Sequence, residues 1–292
     1  MRIGKAVITA AARGQNLLPL QTLVDRDGVA KSALRIILEE ATSSGVEDVC
    51  LVVRPGDQSA YAAAAGDLAT RLYFVEQTAP RGYGHALYCA KAFVGGDPFL
   101  HLVSDHLYIS REATRCARQL VQVAEAESCS VSGVQPTRES VLTHYGTIGG
   151  HRVPGRNRLY QVENVIEKPT PTEAEQKLIV PGLRQGHYLC FFGMHVLTPM
   201  VLQLLGEAVA NAKDNQGIQL SPALALLAQK ERYLALDVHG VRYNIGLKYG
   251  LLIAQLALGL DGQDRDEILA QLVELLASRD ARSDVALSTV NV

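Results

Sequence analysis

Leu72-Tyr73-Phe74-Val75-Glu76-Gln77-Thr78-Ala79-Pro80-Arg81-Gly82-Tyr83-Gly84-His85-Ala86 is the stretch on which the fold turns. Its first five residues read as a buried strand, and the segment with Pro80 and Gly82 stops the ladder. Gly84-His85-Ala86 then opens a helix. Gly82 and Gly84 lack Cβ and permit a base or a phosphate to approach the backbone closely. The unpaired N–H groups at a helix start attract an acceptor atom. Standing alone, the stretch is also what an ordinary tight turn between a strand and a helix looks like.

Outward from this stretch the same alternation repeats. Residues Lys5 to Thr9, Asp48 to Val53 and Phe99 to Val103 read as further strands. Between the first two, Ser32 is a good N-cap, and Leu34, Ile37, Leu38 and Ala41 fall on one helical stripe that Gly45 ends. A second stripe, carried by Ala113, Cys116, Ala117, Leu120, Val121 and Ala124, predicts a helix between Arg111 and Ser128. Strand, helix, strand at this spacing predicts an α/β fold with right-handed crossovers and a mostly parallel sheet covered on both faces. Ligands of such sheets bind beyond the carboxyl ends of the strands, so the loops there are the place to look for chemistry.

The middle of the chain changes character. Ser130 to Val134, Tyr145 to Gly149, Leu159 to Glu167 and Tyr188 to Val196 read as strands, and helical patterns return at Pro199–Leu205 and Pro222–Lys230. From Leu247 onward the pattern is helical, broken at Asp261-Gly262-Gln263-Asp264 and ending in a polar tail expected to fray. No linker cuts the chain. The division expected is a domain over residues 1–258 followed by a C-terminal helical extension over 259–292.

Composition excludes several classes. The 292 residues are 48% apolar and 20% charged, with a net charge of −2 and no block of like charges. Such a chain buries a large core and offers no electrostatic footprint for nucleic acid or an anionic membrane. The five cysteines, Cys50, Cys89, Cys116, Cys129 and Cys190, form no C-x-x-C pair. They read as reduced thiols of a cytoplasmic protein. Ala6 to Ala12 could pass for a short signal segment, but Arg13 interrupts it and a strand is the expectation. No apolar stretch reaches the roughly 20 residues of a membrane span.

Further short motifs follow in order: residues 10–19 after the first strand, Ser104-Asp105-His106 after the fourth, Tyr145-Gly146-Thr147-Ile148, and Val165-Ile166-Glu167-Lys168-Pro169. Gly217-Ile218-Gln219-Leu220 and Arg242-Tyr243-Asn244-Ile245-Gly246 complete the series. Taken with Gln77–Ala86, it resembles the sugar-1-phosphate nucleotidyltransferase family, and most of all its bacterial UTP–glucose-1-phosphate uridylyltransferases, from residue 3 to about 258. The resemblance implies a Rossmann-like (GT-A-like) three-layer sandwich. It also implies transfer of a uridylyl or thymidylyl group from a nucleoside triphosphate to a sugar 1-phosphate, with Mg²⁺ as cofactor.

Residue by residue, the resemblance implies nucleotide contacts from Ala11, Ala12, Gly14, Gln77, Gly82 and Asp105, with Gln77 and Gly82 reading the base. Gly146, Glu167 and Lys168 would hold the sugar phosphate, and Lys168 with Arg13 would act in catalysis. Asp105 and Asn244 would hold the metal. His101 and His106 flank the same strand end at a spacing without metal-site logic and read as structural. Apolar C-terminal segments such as Leu251–Ala254 and Ile268–Leu276 suit either packing on the domain or a homodimer.

The pattern also breaks. The family's first loop is G-x-G-T-R, whereas residues 12–16 are Ala-Arg-Gly-Gln-Asn. No lysine follows at the place of its P-K-E-M-L-P segment, where Arg26 stands between two aspartates. Asn244 replaces an aspartate of D-x-G, and E-I-Q-L-T-D has become Gly217 to Pro222. Such losses, with charge gone from the triphosphate side while Glu167 and Lys168 are kept, allow a second expectation: a catalytically impaired relative that binds a sugar nucleotide or sugar phosphate as a sensor or scaffold. A dinucleotide-binding dehydrogenase is excluded by the lack of G-x-G-x-x-G after the first strand.

Overall fold

The computed structural model describes residues 1–12, 14, 17–213 and 216–288. In chain order the strands are β1 (Lys5–Thr9), β2 (Thr22–Val24), β3 (Ala30–Ser32), β4 (Asp48–Val53), β5 (Leu72–Glu76) and β6 (Phe99–Val103). They continue as β7 (His106–Ser110), β8 (Ser130–Arg138), β9 (Gly146–Arg152), β10 (Leu159–Glu167), β11 (His187–Leu197), β12 (Tyr233–Asp237) and β13 (Gly240–Asn244). Nine of them form one sheet in the order β5-β4-β1-β6-β11-β8-β12-β10-β9.

Period-two alternation builds the layers. In β4, Val49, Leu51 and Val53 enter one core while Cys50 and Val52 enter the other. Strands β1 and β12 divide in the same way. Helices Ala33–Thr42 and Cys116–Glu127 cover the first face, and Tyr83–Cys89, Met200–Asn211 and Leu220–Lys230 cover the second. Each fully buried side chain such as Leu51 or Phe99 contributes about 1.5–3 kcal/mol. The result is a Rossmann-like α/β sandwich of three layers.

The two ends of the sheet differ. β5, β4, β1 and β6 are joined by parallel ladders throughout. Beyond them β11 is antiparallel to β6 and to β8, and β10 is antiparallel to β12 and to β9. β11 carries a register shift between Phe191 and His195 around Gly193, whose φ is +88°. The first part of β11 also pairs with β9 through Leu189↔Ile148 and Cys190↔Thr147. That pairing folds the β9–β10 hairpin against the mouth of the parallel half.

The first four expected strands keep their bounds, and Ser32 caps its helix by accepting from Arg35 N–H at 2.9 Å. The helix expected from Arg111 begins only at Cys116. Ser110 Oγ donates to the Thr114 carbonyl at 2.6 Å and accepts from Glu112 N–H at 3.1 Å, which holds the intervening residues in a turn. β7, β12 and β13 escape the sequence reading because only two residues separate β7 from β6 and β13 from β12, too short a break to mark separate strands. Helix Gly250–Leu260 packs against β13 and β2 and leads into helix Arg265–Ser288. Gln255 grips the exposed edge of β2, accepting from Val24 N–H at 2.9 Å and donating to its carbonyl at 3.0 Å.

Candidate active site

A cavity of about 610 Å³ opens at the carboxyl ends of β1, β5 and β6 and is walled on its far side by β9 and β10. Of the residues expected at a site, Ala11, Ala12, Gln77, Gly82 and Asp105 line it from the parallel half. Gly146, Glu167, Lys168 and Asn244 line it from the mixed half and β13. Gly14 is exposed and is not among the lining residues. Arg13 lies outside the described residues, as does Asn16.

The loop after β5 is locked from behind. Ile218 N–H donates to the Arg81 carbonyl at 2.6 Å, and Gly84 N–H donates to the Ile218 carbonyl at 2.9 Å. A Cβ on Gly82 would stand 2.7 Å from Ile218 O, and one on Gly84 would stand 2.7 Å from Gln219 O. Gly82 also has φ +100° and ψ 178°, a region only glycine occupies without strain. The sequence argues for these glycines from a ligand's close approach. In the structure the chain's own 218–219 backbone makes that approach. Gln77 is buried at the loop's start, donating from Nε2 to Gly82 O at 3.1 Å and to His85 Nδ1 at 3.0 Å.

At the centre stands Asp105, immediately after β6. Burial pushes its carboxyl up, but neighbouring His106, with a further contribution from Lys168, outweighs that and holds it below the usual range. Asp105 Oδ1 is 2.8 Å from His106 Nδ1. His106, expected to be structural, is therefore part of the cavity wall and touches the candidate metal carboxylate. Asn244 Oδ1 accepts from Gly246 N–H at 2.8 Å.

His101 is buried beneath this floor. Its Nδ1 lies 2.9 Å from the Val7 carbonyl and must donate, so Nε2 accepts from Tyr83 Oη at 2.6 Å. Burial pushes the imidazole down to about 4. It stacks on His195 at 5.9 Å between centroids, and burial drives that ring well below its ordinary value too. Two neutral rings thus form a rigid base under the cavity.

The wall formed by β9 and β10 carries Glu167 and Lys168. Glu167 and Gly146 are register partners across β10 and β9. A Cβ at Gly146 would stand 2.7 Å from the Phe191 ring and 3.0 Å from Glu167 Oε2. Ser221 Oγ donates a short hydrogen bond to Glu167 Oε2. Lys168 has φ +49°, a left-handed conformation that costs a residue with a Cβ about 1 kcal/mol or more. Its N–H is tied to the Tyr145 carbonyl at 3.2 Å. Among the described lining residues Lys168 is the one lysine or arginine.

Behind this wall Arg242 is 7% exposed, its guanidinium 4.0 Å from the centroid of Tyr145. Nη2 reaches Thr137 Oγ1 at 3.4 Å, while Nε and Nη1 are buried without a hydrogen-bond partner among the described residues. Desolvation lowers its pKa. A buried cation stacked on a ring is held by that face, so Tyr145 and the Lys168 N–H it anchors are positioned from beneath.

Sequence reasoning missed Tyr83, Phe191, His195 and Ser221, all of which line the cavity. Only Gly193 carried a signal, an isolated glycine within a strand pattern, which marks a bulge. The others arrive by long-range packing.

The family profile described as Nucleotidyl transferase matches residues 5–241. A UTP–glucose-1-phosphate uridylyltransferase of Streptococcus pneumoniae is 29% identical, the match covering 94% of this chain and 96% of that one. One from Bacillus subtilis is 30% identical over the same shares. Among solved structures, a UDP-glucose pyrophosphorylase complexed with UDP-glucose superposes with a TM-score of 0.71 at 23% identity, over 87% of this chain and 98% of that one. The pyrophosphorylase from Acinetobacter baumannii gives 0.72 at 24% identity, over 94% and 99%. These likenesses show the same fold.

Proposed function

The chain belongs to the nucleotidyl transferase family, and from that premise we propose that it transfers the uridylyl group of UTP to a sugar 1-phosphate. Glucose 1-phosphate is the acceptor favoured by the names of its relatives, and dTTP presents the same base edge as UTP. The observation that carries the reading is the convergence of Gln77 and Gly82 with Asp105, Glu167 and Lys168 on one cavity.

A phosphate oxygen of the sugar phosphate attacks the α-phosphorus in line, the new P–O bond forms, and the bond to the β-phosphate breaks to release pyrophosphate. The nucleophile is already anionic, so no general base is needed. Gln77 and Gly82 hold the base, Glu167 accepts from sugar hydroxyls, and Lys168 binds the sugar phosphate as a point charge and steadies the transferring phosphoryl group. Arg13 is assigned the triphosphate side.

The donor set fits a magnesium ion shared with substrate. One ionised carboxylate, Asp105, is available, and Asn244 retains one lone pair beyond its bond to Gly246. Mg²⁺ is commonly held by one or two protein oxygens, with phosphate oxygens and water completing its shell. When bound it neutralises charge on the phosphates.

We assign the chemistry to residues 1–258 and a dimer contact to the extension over 259–292. Leu269, Val273, Leu275 and Leu276 stay exposed on helix Arg265–Ser288 and support a second copy as the partner. A reducing cytoplasm suits five free cysteines, four of them buried. No helix of the described residues is long and apolar enough to cross a membrane.

The test is pyrophosphate release with UTP, glucose 1-phosphate and Mg²⁺, expected to need all three. Binding of UDP-glucose without turnover would leave a sugar-nucleotide binder and refute the enzyme.

A further inference from the structure

We propose that His85 sets the nucleobase specificity of the cavity by fixing the amide of Gln77, so that a carbonyl oxygen alone meets the base. The inference rests on the reading above, in which Gln77 faces the base.

The orientation of that amide is decided by its neighbours. Gly82 O is an acceptor 3.1 Å from the Gln77 nitrogen, and it also accepts from Ala86 N–H at 3.1 Å. An amide flipped end for end would set two carbonyl oxygens against each other, so the NH₂ group must lie on that side. Its second hydrogen goes to His85 Nδ1 at 3.0 Å. Nδ1 accepts only if the imidazole is neutral and carries its proton on Nε2. Burial and the nearby Arg81 charge lower the ring's pKa and favour that state, against a backbone hydrogen bond to Ala79 that raises it, and Cys89 Sγ lies 3.9 Å from the same Nδ1. Both amide hydrogens are therefore spent inside the loop, and Gln77, which lines the cavity, presents an acceptor to whatever binds there.

An acceptor at this place selects among bases of similar shape. Uracil and thymine carry N3–H, a donor, between two carbonyl acceptors. Cytosine carries an unprotonated N3, an acceptor, at the same place. Opposite the fixed oxygen of Gln77 the imide gains a hydrogen bond and cytosine meets an acceptor. Without His85 the amide would keep one internal partner and gain freedom to turn, and the discrimination would weaken. His85 is a positioning residue here, acting through Gln77.

The test compares calorimetric affinities for UTP and CTP in the full-length wild type and in His85→Leu, His85→Asn and His85→Gln, with pyrophosphate release from UTP measured alongside. The wild type is expected to prefer UTP. His85→Leu should cut the UTP-to-CTP ratio about five- to tenfold, the size of effect of one buried amide hydrogen bond. Asn places an oxygen near the position of Nδ1 and should restore most of the ratio. Gln carries its amide one methylene further out and should not. Should the leucine variant fail to fold, the Asn-against-Gln contrast still decides. Equal losses for both nucleotides in every variant would overturn the role of His85 and leave the proposed reaction standing. A wild type that binds UTP and CTP alike would also overturn the role of His85, whereas one that binds neither and releases no pyrophosphate would overturn the proposed reaction.

Discussion

The two walls of the cavity are built on opposite principles. On the side proposed to take the base, the loop from Gln77 to Ala86 is held by backbone hydrogen bonds to Ile218, by glycines pressed against residues 218–219, and by an amide–imidazole pair. On the side proposed to take the sugar stand Glu167, a left-handed Lys168 and a buried Arg242 behind Tyr145. Recognising a base needs fixed donors and acceptors, which backbone and neutral side chains supply cheaply. Handling a phosphoryl group needs charge in a defined place, and charge close to a core costs desolvation and strain.

Lys168→Ala strikes the charged wall and carries the largest expected effect. Removing a contact to the transferring group costs about 3–4 kcal/mol, or a few hundredfold in kcat/KM for glucose 1-phosphate. Calorimetric UTP affinity should change far less. If UTP binding collapsed with it, the two walls would not be functionally separate.

Gly82→Ala strikes the neutral wall. Its Cβ would meet Ile218 O at 2.7 Å in a conformation with φ +100°. A strain of about 1–3 kcal/mol should weaken UTP binding roughly tenfold or more, while the KM for the sugar phosphate stays near its original value. An unchanged UTP affinity would show that the loop's backbone lock is dispensable.

The smallest effect belongs to neither wall. Burial raises the Asp237 carboxyl to about 6, against opposing charges on Arg158 and His239. The folded protein thus holds this proton more tightly than the unfolded chain, and the favourable contribution is lost as pH rises through about 6. Asp237→Asn should stabilise the protein by about 1 kcal/mol at pH 8, allowing for the group's partial exposure. The gain should shrink as the pH falls towards 4, as read from denaturant midpoints. Kinetics unchanged by this variant would show that the first two effects are local to the cavity.

Much of this architecture is legible in the residues. Apolar runs bounded by turn residues placed β1, β4, β5 and β6 because each is followed by a recognisable turn, loop or cap. β12, of the same length as β1 and buried, lacked such a boundary, with only two residues before β13. Of the site, the resemblance of the motifs to the nucleotidyltransferase family pointed to Gln77, Gly82, Asp105, Glu167 and Lys168, and the strand-end rule for α/β sheets pointed to the loops after the parallel strands. The sequence could not show that His106 turns to Asp105, or that Ser221 donates to Glu167 from 54 residues away.

By itself, then, the sequence determined the alternating α/β pattern and the loops in which chemistry-bearing residues stand, because periodicity and turn chemistry are local. Only the tertiary structure decided which of those loops share a cavity, which glycines are demanded by neighbouring backbone, and which imidazoles are held neutral. Those outcomes depend on contacts between segments distant in the chain, and on the burial that such contacts create.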